Sequence, residues 1–223
     1  MTEAARYYRA ILFDFDFTLG DSSGGIIICV QYALEQMGYE PGSPDAIRKT
    51  IGLSLPQTFE QLTGIQNAAL GGQFAGLFRQ KADKVMTAHT HLLPGTIPFL
   101  SALKNNGLKT GIITTKFHYR IDEILEKFGV SHLIDVIVGC EDVKNVKPDP
   151  DGLLLALSKL AISKDSALFV GDSVIDAKAA CGAGIDFIAV TTGTTGREAF
   201  TNIPHRHIAD SLMELASHIL ADG

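Results

Sequence analysis

The chain has 223 residues, of which 25 are acidic and 19 are basic, so its formal net charge at pH 7 is −6. Hydrophobic residues make up 46% and charged residues 20%, a balance that is typical of a globular protein with a sizeable core and excludes a disordered chain. The acidic balance, without a basic stripe, argues against a nucleic-acid-binding protein. A small anionic substrate is still compatible with the negative net charge, because a metal ion or helix terminus at the site outweighs that charge locally.

The cysteines and the N-terminal residues bear on the compartment. Cys29, Cys140 and Cys181 fit neither a CxxC pair nor a zinc ligand set, and their odd number favours buried thiols in a reducing compartment. The apolar run before Asp14 has four residues, too few for a secretory signal, and no run approaches the roughly 18 residues of a membrane span. We therefore expect a soluble, cytoplasmic protein without a membrane partner, and the oligomeric state is not readable.

Short apolar runs alternate with amphipathic segments along much of the chain. Such runs are typical of buried strands in a parallel sheet, joined by helices as right-handed crossovers. Strands are predicted at Ala10–Phe13, Thr110–Thr114, Asp135–Val138, Ala167–Val170 and Phe187–Val190, and helices at Ile121–Phe128, Gly152–Leu160 and Ile175–Gly182. The predicted fold class is α/β, with a doubly wound, Rossmann-like parallel sheet.

The connection between the first two strands is much longer than a crossover requires. Apolar residues recur at helix spacing from Ile26 to Met37, and Gly38 is placed to end that helix. A second helical segment, about Asn67–His89, is expected to be interrupted by Gly71, Gly72 and Gly76.

The excess length predicts an inserted helical domain. We assign residues 20–93 to this cap, and residues 1–19 and 94–223 to the α/β core. Ligands of open α/β sheets bind at the carboxyl edge of the strands, and a cap inserted after the first strand is suited to act as a lid there.

Polar clusters follow three of the predicted strands. Asp14-Phe15-Asp16-Phe17-Thr18 comes directly after the first, and two carboxylates at a strand end suit a metal ligand and nucleophile together with an acid or base. The alternative is that these acids are solvated or cap a helix. Thr114-Thr115-Lys116 follows the second strand and offers a hydroxyl and backbone N–H groups to an anion, unless Thr114 is a plain helix cap.

The third cluster, Gly171-Asp172-Ser173-Val174-Ile175-Asp176, follows the strand Ala167–Val170. Asp172 is placed to ligate a metal, with Asp176 supporting it from the first helical turn. Ser173 and Asp176 also fit a capping box, which would explain both of them but not Asp172.

A lysine between two of these clusters completes the pattern. Lys147 precedes Pro148 and Pro150, which fix the backbone ahead of a helix. It is suited to balance clustered carboxylates and a phosphate, and the alternative is a solvated surface lysine.

Taken together, these clusters resemble the motifs of the haloacid dehalogenase-like hydrolase superfamily. Asp14-Phe-Asp16-Phe-Thr18 matches its DxDxT motif, and Thr114 matches the second motif. Lys147 matches the third motif, and Gly171–Asp176 matches the fourth, GDSxxD. The long insertion resembles the helical cap of the subclass that includes phosphoglycolate phosphatases. Many relatives have Gly where this chain has Phe17, which bears on the hinge and not on the chemistry.

The resemblance implies a mechanism. Asp14 is the nucleophile that forms an aspartyl-phosphate, and Asp16 protonates the leaving oxygen and then activates water. Thr114 and Lys147 stabilise the phosphoryl group, with help from the backbone N–H of Thr115. Mg²⁺ is held by Asp14, by the Asp16 carbonyl and by Asp172.

The same resemblance gives Asp176 a supporting position at the metal, orienting Asp172 or Lys147. Four carboxylates in one crevice would repel one another and raise their pKa values. We therefore expect Mg²⁺ to stabilise the protein.

The second acid separates the candidate functions. A dehalogenase needs no acid to protonate an alkoxide leaving group, and dehalogenases of this family lack the counterpart of Asp16, so phosphoryl chemistry is favoured. A phosphonatase would carry a Schiff-base lysine in the cap, and none can be placed in this sequence. The preferred function is a Mg²⁺-dependent phosphatase for a small, phosphoglycolate-like monoester. The alternatives are a β-phosphoglucomutase-like mutase, an inorganic pyrophosphatase, or a non-catalytic protein that kept the fold.

The substrate is expected to be set by the cap. Arg48 and Lys49 precede a segment, Ile51-Gly-Leu-Ser54, that resembles the family's cap loop. They are candidates to bind a second anionic group such as a carboxylate, and the alternative is that they are solvated helix charges.

Overall fold

A computed structural model of the chain describes residues 8–220. Its strands are β1 (Ala10–Phe13), β2 (Gly20–Asp21), β3 (His91–Leu92), β4 (Lys109–Ile113), β5 (Val136–Val138), β6 (Ala167–Gly171), β7 (Asp186–Val190) and β8 (His207–Ala209). Its α-helices are α1 (Ser23–Gln36), α2 (Pro44–Arg48), α3 (Leu55–Thr63), α4 (Ala68–Val85), α5 (Thr96–Asn105), α6 (His118–Lys127), α7 (Asp151–Leu160), α8 (Val174–Ala183) and α9 (Leu212–Leu220).

Six of these strands form one sheet in the order β5-β4-β1-β6-β7-β8, and every pairing is parallel. The chain winds outward from β1 in one direction as far as β5, and then returns to β6 on the other side of β1. The reversal makes the carboxyl end of β1 the switch point at which doubly wound folds bind ligands. The predicted α/β fold class and parallel sheet are confirmed.

The alternation of side chains along β1 explains how the sheet is covered. Ile11 and Phe13 lie in one apolar cluster, which includes residues of α5, α6 and α9, whereas Leu12 lies in the other, with residues of α7 and α8. A strand that is buried on both faces shows no alternation of polar and apolar residues, so it stands in the sequence as a continuous apolar run that can be recognised. The sheet therefore holds its carboxyl edge between two fully packed layers.

The chain divides into two compact units, one running to Gly20 and resuming at Leu92, the other spanning Asp21–His91. The second unit contains α1 to α4 around its own apolar core. Residues 1–7 and 221–223 of the predicted core domain lie outside the described residues. The strands β2 and β3 form a separate two-stranded sheet.

Two expectations need correction. The helix α4 runs without a break through Gly71, Gly72 and Gly76, because its buried face, with Phe74 and Ala82, packs into the apolar core of its own unit. Of the three cysteines only Cys29 is buried; Cys140 is half-buried and Cys181 exposed.

None of the helices within residues 8–220 combines the length and apolarity that a membrane span requires.

Candidate active site

The register of the sheet brings the predicted carboxylates together. Phe13 of β1 lies opposite Val170 of β6, and the Asp14 N–H donates to the Val170 carbonyl at 2.9 Å. Asp14 and Asp172 therefore emerge next to each other where the two strands end. Both residues are buried, each with 6% of its surface exposed.

Lys147 joins this pair from the loop that precedes α7. Its Nζ lies 2.7 Å from Asp14 Oδ1 and 2.7 Å from Asp176 Oδ1, and the residue is buried. The alternative of a solvated surface lysine is therefore wrong. Lys147 is the cation that links the strand β1 to the first turn of α8.

Asp176 has a second task at the start of α8. Its Oδ2 accepts hydrogen bonds from Ser173 N at 3.1 Å and Ser173 Oγ at 2.5 Å, and Ser173 Oγ accepts from Asp176 N. This is the capping box that the sequence suggested. The capping box is thereby confirmed, and because the other oxygen of Asp176 binds Lys147, the role of this motif at a metal stays a prediction.

The second cluster lies on the other side of β1. Thr114 follows β4, donates its N–H to the Val138 carbonyl at 3.0 Å, and is buried. Its Oγ1 accepts a hydrogen bond from Lys116 N at 3.1 Å, whereas the N-terminal cap of α6 is Phe117, so Thr114 is not that helix's cap. Thr115 is half-buried beside it.

Asp16 has a partner that the sequence did not single out. Lys116 Nζ lies 2.5 Å from Asp16 Oδ2, and both side chains are largely buried. The other oxygen, Asp16 Oδ1, is buried and has no hydrogen-bond partner within the described residues. The acid pair of the first motif is therefore held by two different lysines.

The loop after β7 closes the site from a further side. Phe17 has a left-handed backbone with φ 59°, and its carbonyl accepts a hydrogen bond from Thr192 Oγ1. This conformation is costly for a residue with a Cβ and favours glycine. Next to Thr192, a Cβ added at Gly193 would lie 1.8 Å from Asp172 Oδ2.

Burial and mutual repulsion dominate the electrostatics. Burial, and then the charge of Asp176, raise the pKa of Asp14 from 3.8 to about 7, although Lys147 opposes the shift. Burial also raises the pKa of Asp172 well above its ordinary value, with Asp176 and Asp14 adding to it. Burial alone would lower the pKa of Lys147, but Asp14 and Asp176 outweigh it and hold that pKa above its usual range.

These carboxylates fit a hard divalent cation. Asp14, Asp172 and Asp176 each offer an oxygen, and the three oxygens lie within 4.8 Å of one another. Carboxylate oxygens are the ligands that Mg²⁺ prefers, and a divalent ion would relieve the repulsion that raises the pKa values. Since both Asp176 oxygens already accept hydrogen bonds, Asp14 and Asp172 are the better placed of the three.

Arg48 and Lys49 lie elsewhere in the chain, in the unit Asp21–His91. Arg48 is the last residue of α2 and is half-buried, and Lys49 caps that helix and is exposed. Their contact with an anionic group of the substrate stays a prediction.

Comparison with known proteins decides the family. A model of the haloacid dehalogenase-like hydrolases matches residues 11–190, which contain every motif described above except the loop at Thr192 and Gly193. The chain belongs to the haloacid dehalogenase-like hydrolase family. The resemblance drawn from the motifs is thereby confirmed, and the protein is an enzyme of the hydrolase class.

Individual relatives of this hydrolase carry more specific names. A phosphoglycolate phosphatase from Yersinia pestis is 33% identical over 222 residues and covers 96% of each chain. The pyrophosphatase PpaX from Bacillus pumilus is 31% identical and covers 96% of this chain and 95% of its own. A solved structure from Bacteroides fragilis, described as a haloacid dehalogenase-like hydrolase, superposes with a TM-score of 0.91 at 42% identity, covering 93% and 99%.

Two residues of the candidate site, Lys116 and Gly193, were given no role at the level of sequence. Lys116 follows Thr114 by two residues in the sequence. This separation indicates that Lys116 lies near the site, but it does not indicate which group its side chain contacts. Gly193 lies in a Gly-Thr-Thr-Gly stretch after the last predicted strand, which indicates a turn and nothing about its neighbour.

The stability of the metal-free hydrolase is expected to fall as the pH rises. The pKa of Asp14 is higher in the folded state, so the folded protein binds a proton at Asp14 more tightly than the unfolded chain does. The stability that this proton provides is lost as the pH rises through the pKa that Asp14 has in the folded state. From pH 5 to pH 7.5, Asp14 alone should lower the free energy of unfolding by about 2–3 kcal/mol. Lys147 adds no slope in this window, because its pKa lies far above it.

Urea unfolding in EDTA at the two pH values measures this slope. Addition of Mg²⁺ should flatten it, because the ion favours the ionised carboxylates. The Asp14→Asn variant, which lacks the titrating group, should show a smaller slope in EDTA. A metal-free wild type that gains stability between pH 5 and pH 7.5 would contradict this account of the site.

The Gly193→Ala variant is expected to bind Mg²⁺ about 10- to 100-fold more weakly, because its methyl group would displace the Asp172 carboxylate. Titration calorimetry with Mg²⁺ alone measures the affinity without turnover. The matched control is Gly196→Ala in the same loop, whose methyl would meet only the exposed, flexible Glu198 side chain and should leave the affinity unchanged. Equal affinities in all three proteins would show that Gly193 does not fix Asp172.

Proposed function

We propose that the protein is a Mg²⁺-dependent phosphatase that hydrolyses a small phosphate monoester through an aspartyl-phosphate. The observation that carries the proposal is the buried contact of Asp14 with Lys147 beside Asp172, with Asp16 two residues away. A carboxylate held by one cation next to a second carboxylate is suited to attack phosphorus while its charge is balanced.

The roles of the residues follow from their contacts. Asp14 forms the bond to phosphorus, and Lys147, held between Asp14 and Asp176, neutralises charge that develops on the phosphoryl oxygens. The Thr114 hydroxyl already accepts from Lys116 N, so its hydrogen is directed elsewhere and is available to a phosphoryl oxygen. The N–H of Thr115 is assigned to the same cradle.

Asp16 is assigned the proton transfers. Its buried Oδ1 lacks a partner within residues 8–220 and is suited to give a proton to the leaving oxygen and later to take one from water. Asp14 and Asp172, with the Asp16 main-chain carbonyl, would hold Mg²⁺. When bound, the ion would neutralise the carboxylates and the phosphoryl group and keep Asp14 ionised.

The substrate class is assigned by analogy with the relatives. A phosphoglycolate-like monoester is favoured because the phosphoglycolate phosphatase from Yersinia pestis is 33% identical over almost the whole chain. Pyrophosphate is the second candidate, because the pyrophosphatase from Bacillus pumilus matches as completely at the slightly lower identity of 31%. The two differ in what lies beyond the transferred phosphoryl group, a carboxylate or a second phosphate.

Phosphate release from a panel of phosphate compounds tests the proposal. The panel contains phosphoglycolate, pyrophosphate, sugar phosphates, nucleotides and p-nitrophenyl phosphate, each with Mg²⁺ or with EDTA. We expect Mg²⁺-dependent release with a preference for phosphoglycolate over pyrophosphate. Preference for pyrophosphate would select the second candidate, and no release from any compound would reject the phosphatase and direct the work to β-glucose 1-phosphate as a mutase substrate.

A further inference from the structure

The backbone of Lys116 is fixed on both sides. Its N–H donates to Thr114 Oγ1 at 3.1 Å, and its carbonyl accepts a hydrogen bond from Cys140 N at 2.9 Å. The first contact ties the lysine to the end of β4 and the second to the segment that follows β5. The lysine side chain therefore starts from a rigid point at the carboxyl edge of the sheet.

The side chain of Lys116 ends at one oxygen of Asp16. The Nζ–Oδ2 distance is 2.5 Å, and the two side chains are 11% and 10% exposed. A charge-assisted contact of this length between two largely buried groups fixes the carboxyl group more firmly than a surface ion pair would. The other oxygen, Oδ1, is buried and makes no hydrogen bond within the described residues.

Asp16 differs in this respect from Asp14 and Asp176. Lys147 binds both of those residues, whereas Asp16 has Lys116 to itself among the ion pairs of residues 8–220. The site thus contains two separate anchors, one at the nucleophile and one at the acid. A lysine that served only to balance the crevice would not need to contact a single carboxyl oxygen.

We propose that Lys116 is a positioning residue that holds Asp16 by Oδ2 and thereby directs Oδ1 at the leaving oxygen of the substrate. The inference rests on the proposed phosphatase function, in which Asp16 transfers protons. It adds to that function a residue that acts through Asp16 and is not assigned a contact with the phosphoryl group.

The proton balance defines what Lys116 must secure. As the bond between phosphorus and the leaving oxygen breaks and the bond to Asp14 forms, the Oδ1 proton of Asp16 passes to the leaving oxygen, which departs as an alcohol. Asp16 is then a carboxylate and takes a proton from the water that attacks the aspartyl-phosphate. Both transfers require Oδ1 to lie within hydrogen-bond reach of the reacting oxygen.

Substrates with different leaving groups separate positioning from other roles. An alkyl phosphate such as phosphoglycolate needs the proton, whereas p-nitrophenolate leaves without one. The parameter to compare is kcat/KM, which reports the steps up to transfer of the phosphoryl group to Asp14. We expect Lys116→Met to lower kcat/KM about 100-fold for phosphoglycolate and less than about 3-fold for p-nitrophenyl phosphate.

Four further proteins sharpen the test: Lys116→Arg, Asp16→Asn, the double variant of Asp16→Asn with Lys116→Met, and Lys144→Met. Lys116→Arg, which keeps a cation within reach of Oδ2, should recover most of the loss. In an Asp16→Asn background, Lys116→Met should lower kcat/KM for phosphoglycolate little further, because the two residues act as a unit. Lys144→Met, at an exposed lysine before Lys147, should leave both substrates unaffected.

The outcomes are distinguishable. Equal losses for both substrates, or full additivity with Asp16→Asn, would overturn the positioning role and indicate a structural lysine. A raised KM with unchanged kcat for phosphoglycolate alone would show that Lys116 binds the substrate instead. If wild type releases phosphate from no compound of the panel, the proposed function fails and the inference fails with it.

Discussion

Replacement of Asp14 by asparagine is expected to lower phosphate release from every substrate by at least about 1,000-fold. An amide is almost the same size as the carboxylate, but it cannot form the acyl-phosphate bond. Its oxygen can still accept the hydrogen bond from Lys147. The loss should therefore appear in turnover and not in folding.

The same variant should be more stable than wild type in EDTA at pH 7.5. The folded state holds Asp14 buried and next to Asp176, so removing its charge removes a repulsion that only Lys147 offsets. Thermal melts and phosphate release measured on one preparation would give both effects. The matched control is Asp165→Asn, at an exposed aspartate, which should change neither quantity. Residual turnover above about one hundredth of wild type would contradict the assignment of Asp14 as nucleophile.

Replacement of Lys147 by methionine is expected to have the second largest effect, and it acts on both activity and stability. The variant leaves Asp14 and Asp176 buried without their shared cation. Removing one partner of a buried ion pair costs about 3 kcal/mol or more, and we expect a loss of this size at pH 7.5 in EDTA. Turnover should fall at least about 100-fold, because the lysine that is assigned to neutralise charge on the phosphoryl oxygens is lost.

The pH dependence of the Lys147→Met variant identifies the cause. At pH 5 the carboxyl groups take up protons, so the stability difference from wild type should shrink. Urea unfolding of both proteins at pH 5 and pH 7.5 measures the difference, and Lys178→Met, at an exposed lysine of α8, serves as control. A difference that does not change with pH would attribute the loss to packing and not to charge.

Most of the α/β core could be predicted because its strands are buried on both faces. The strand β1 has the predicted bounds, and the other four predicted strands differ by one residue at one end or both. The strand β8, His207–Ala209, was missed because only its last two residues are apolar, a run too short to stand out. The continuity of α4 was missed because helix packing, and not the propensity of glycine, decides there.

The candidate site could be predicted in part, and for a physical reason. Residues at the carboxyl ends of neighbouring parallel strands must meet, so the chain order of strands and polar clusters was enough to group Asp14 with Asp172. The partner of a long side chain cannot be predicted in the same way, because a lysine side chain has four rotatable bonds and the group that it contacts depends on the tertiary structure. The pairing of Lys116 with Asp16 and the contact of Gly193 with Asp172 are therefore visible only in the structure.

The hydrogen bonds of Asp176 place two demands on one side chain. Its Oδ2 caps the first turn of the helix α8, and its Oδ1 binds Lys147. A substitution at this position is therefore expected to disturb the helix and the position of Lys147 together, so its effects on stability and on activity cannot be separated in a single variant.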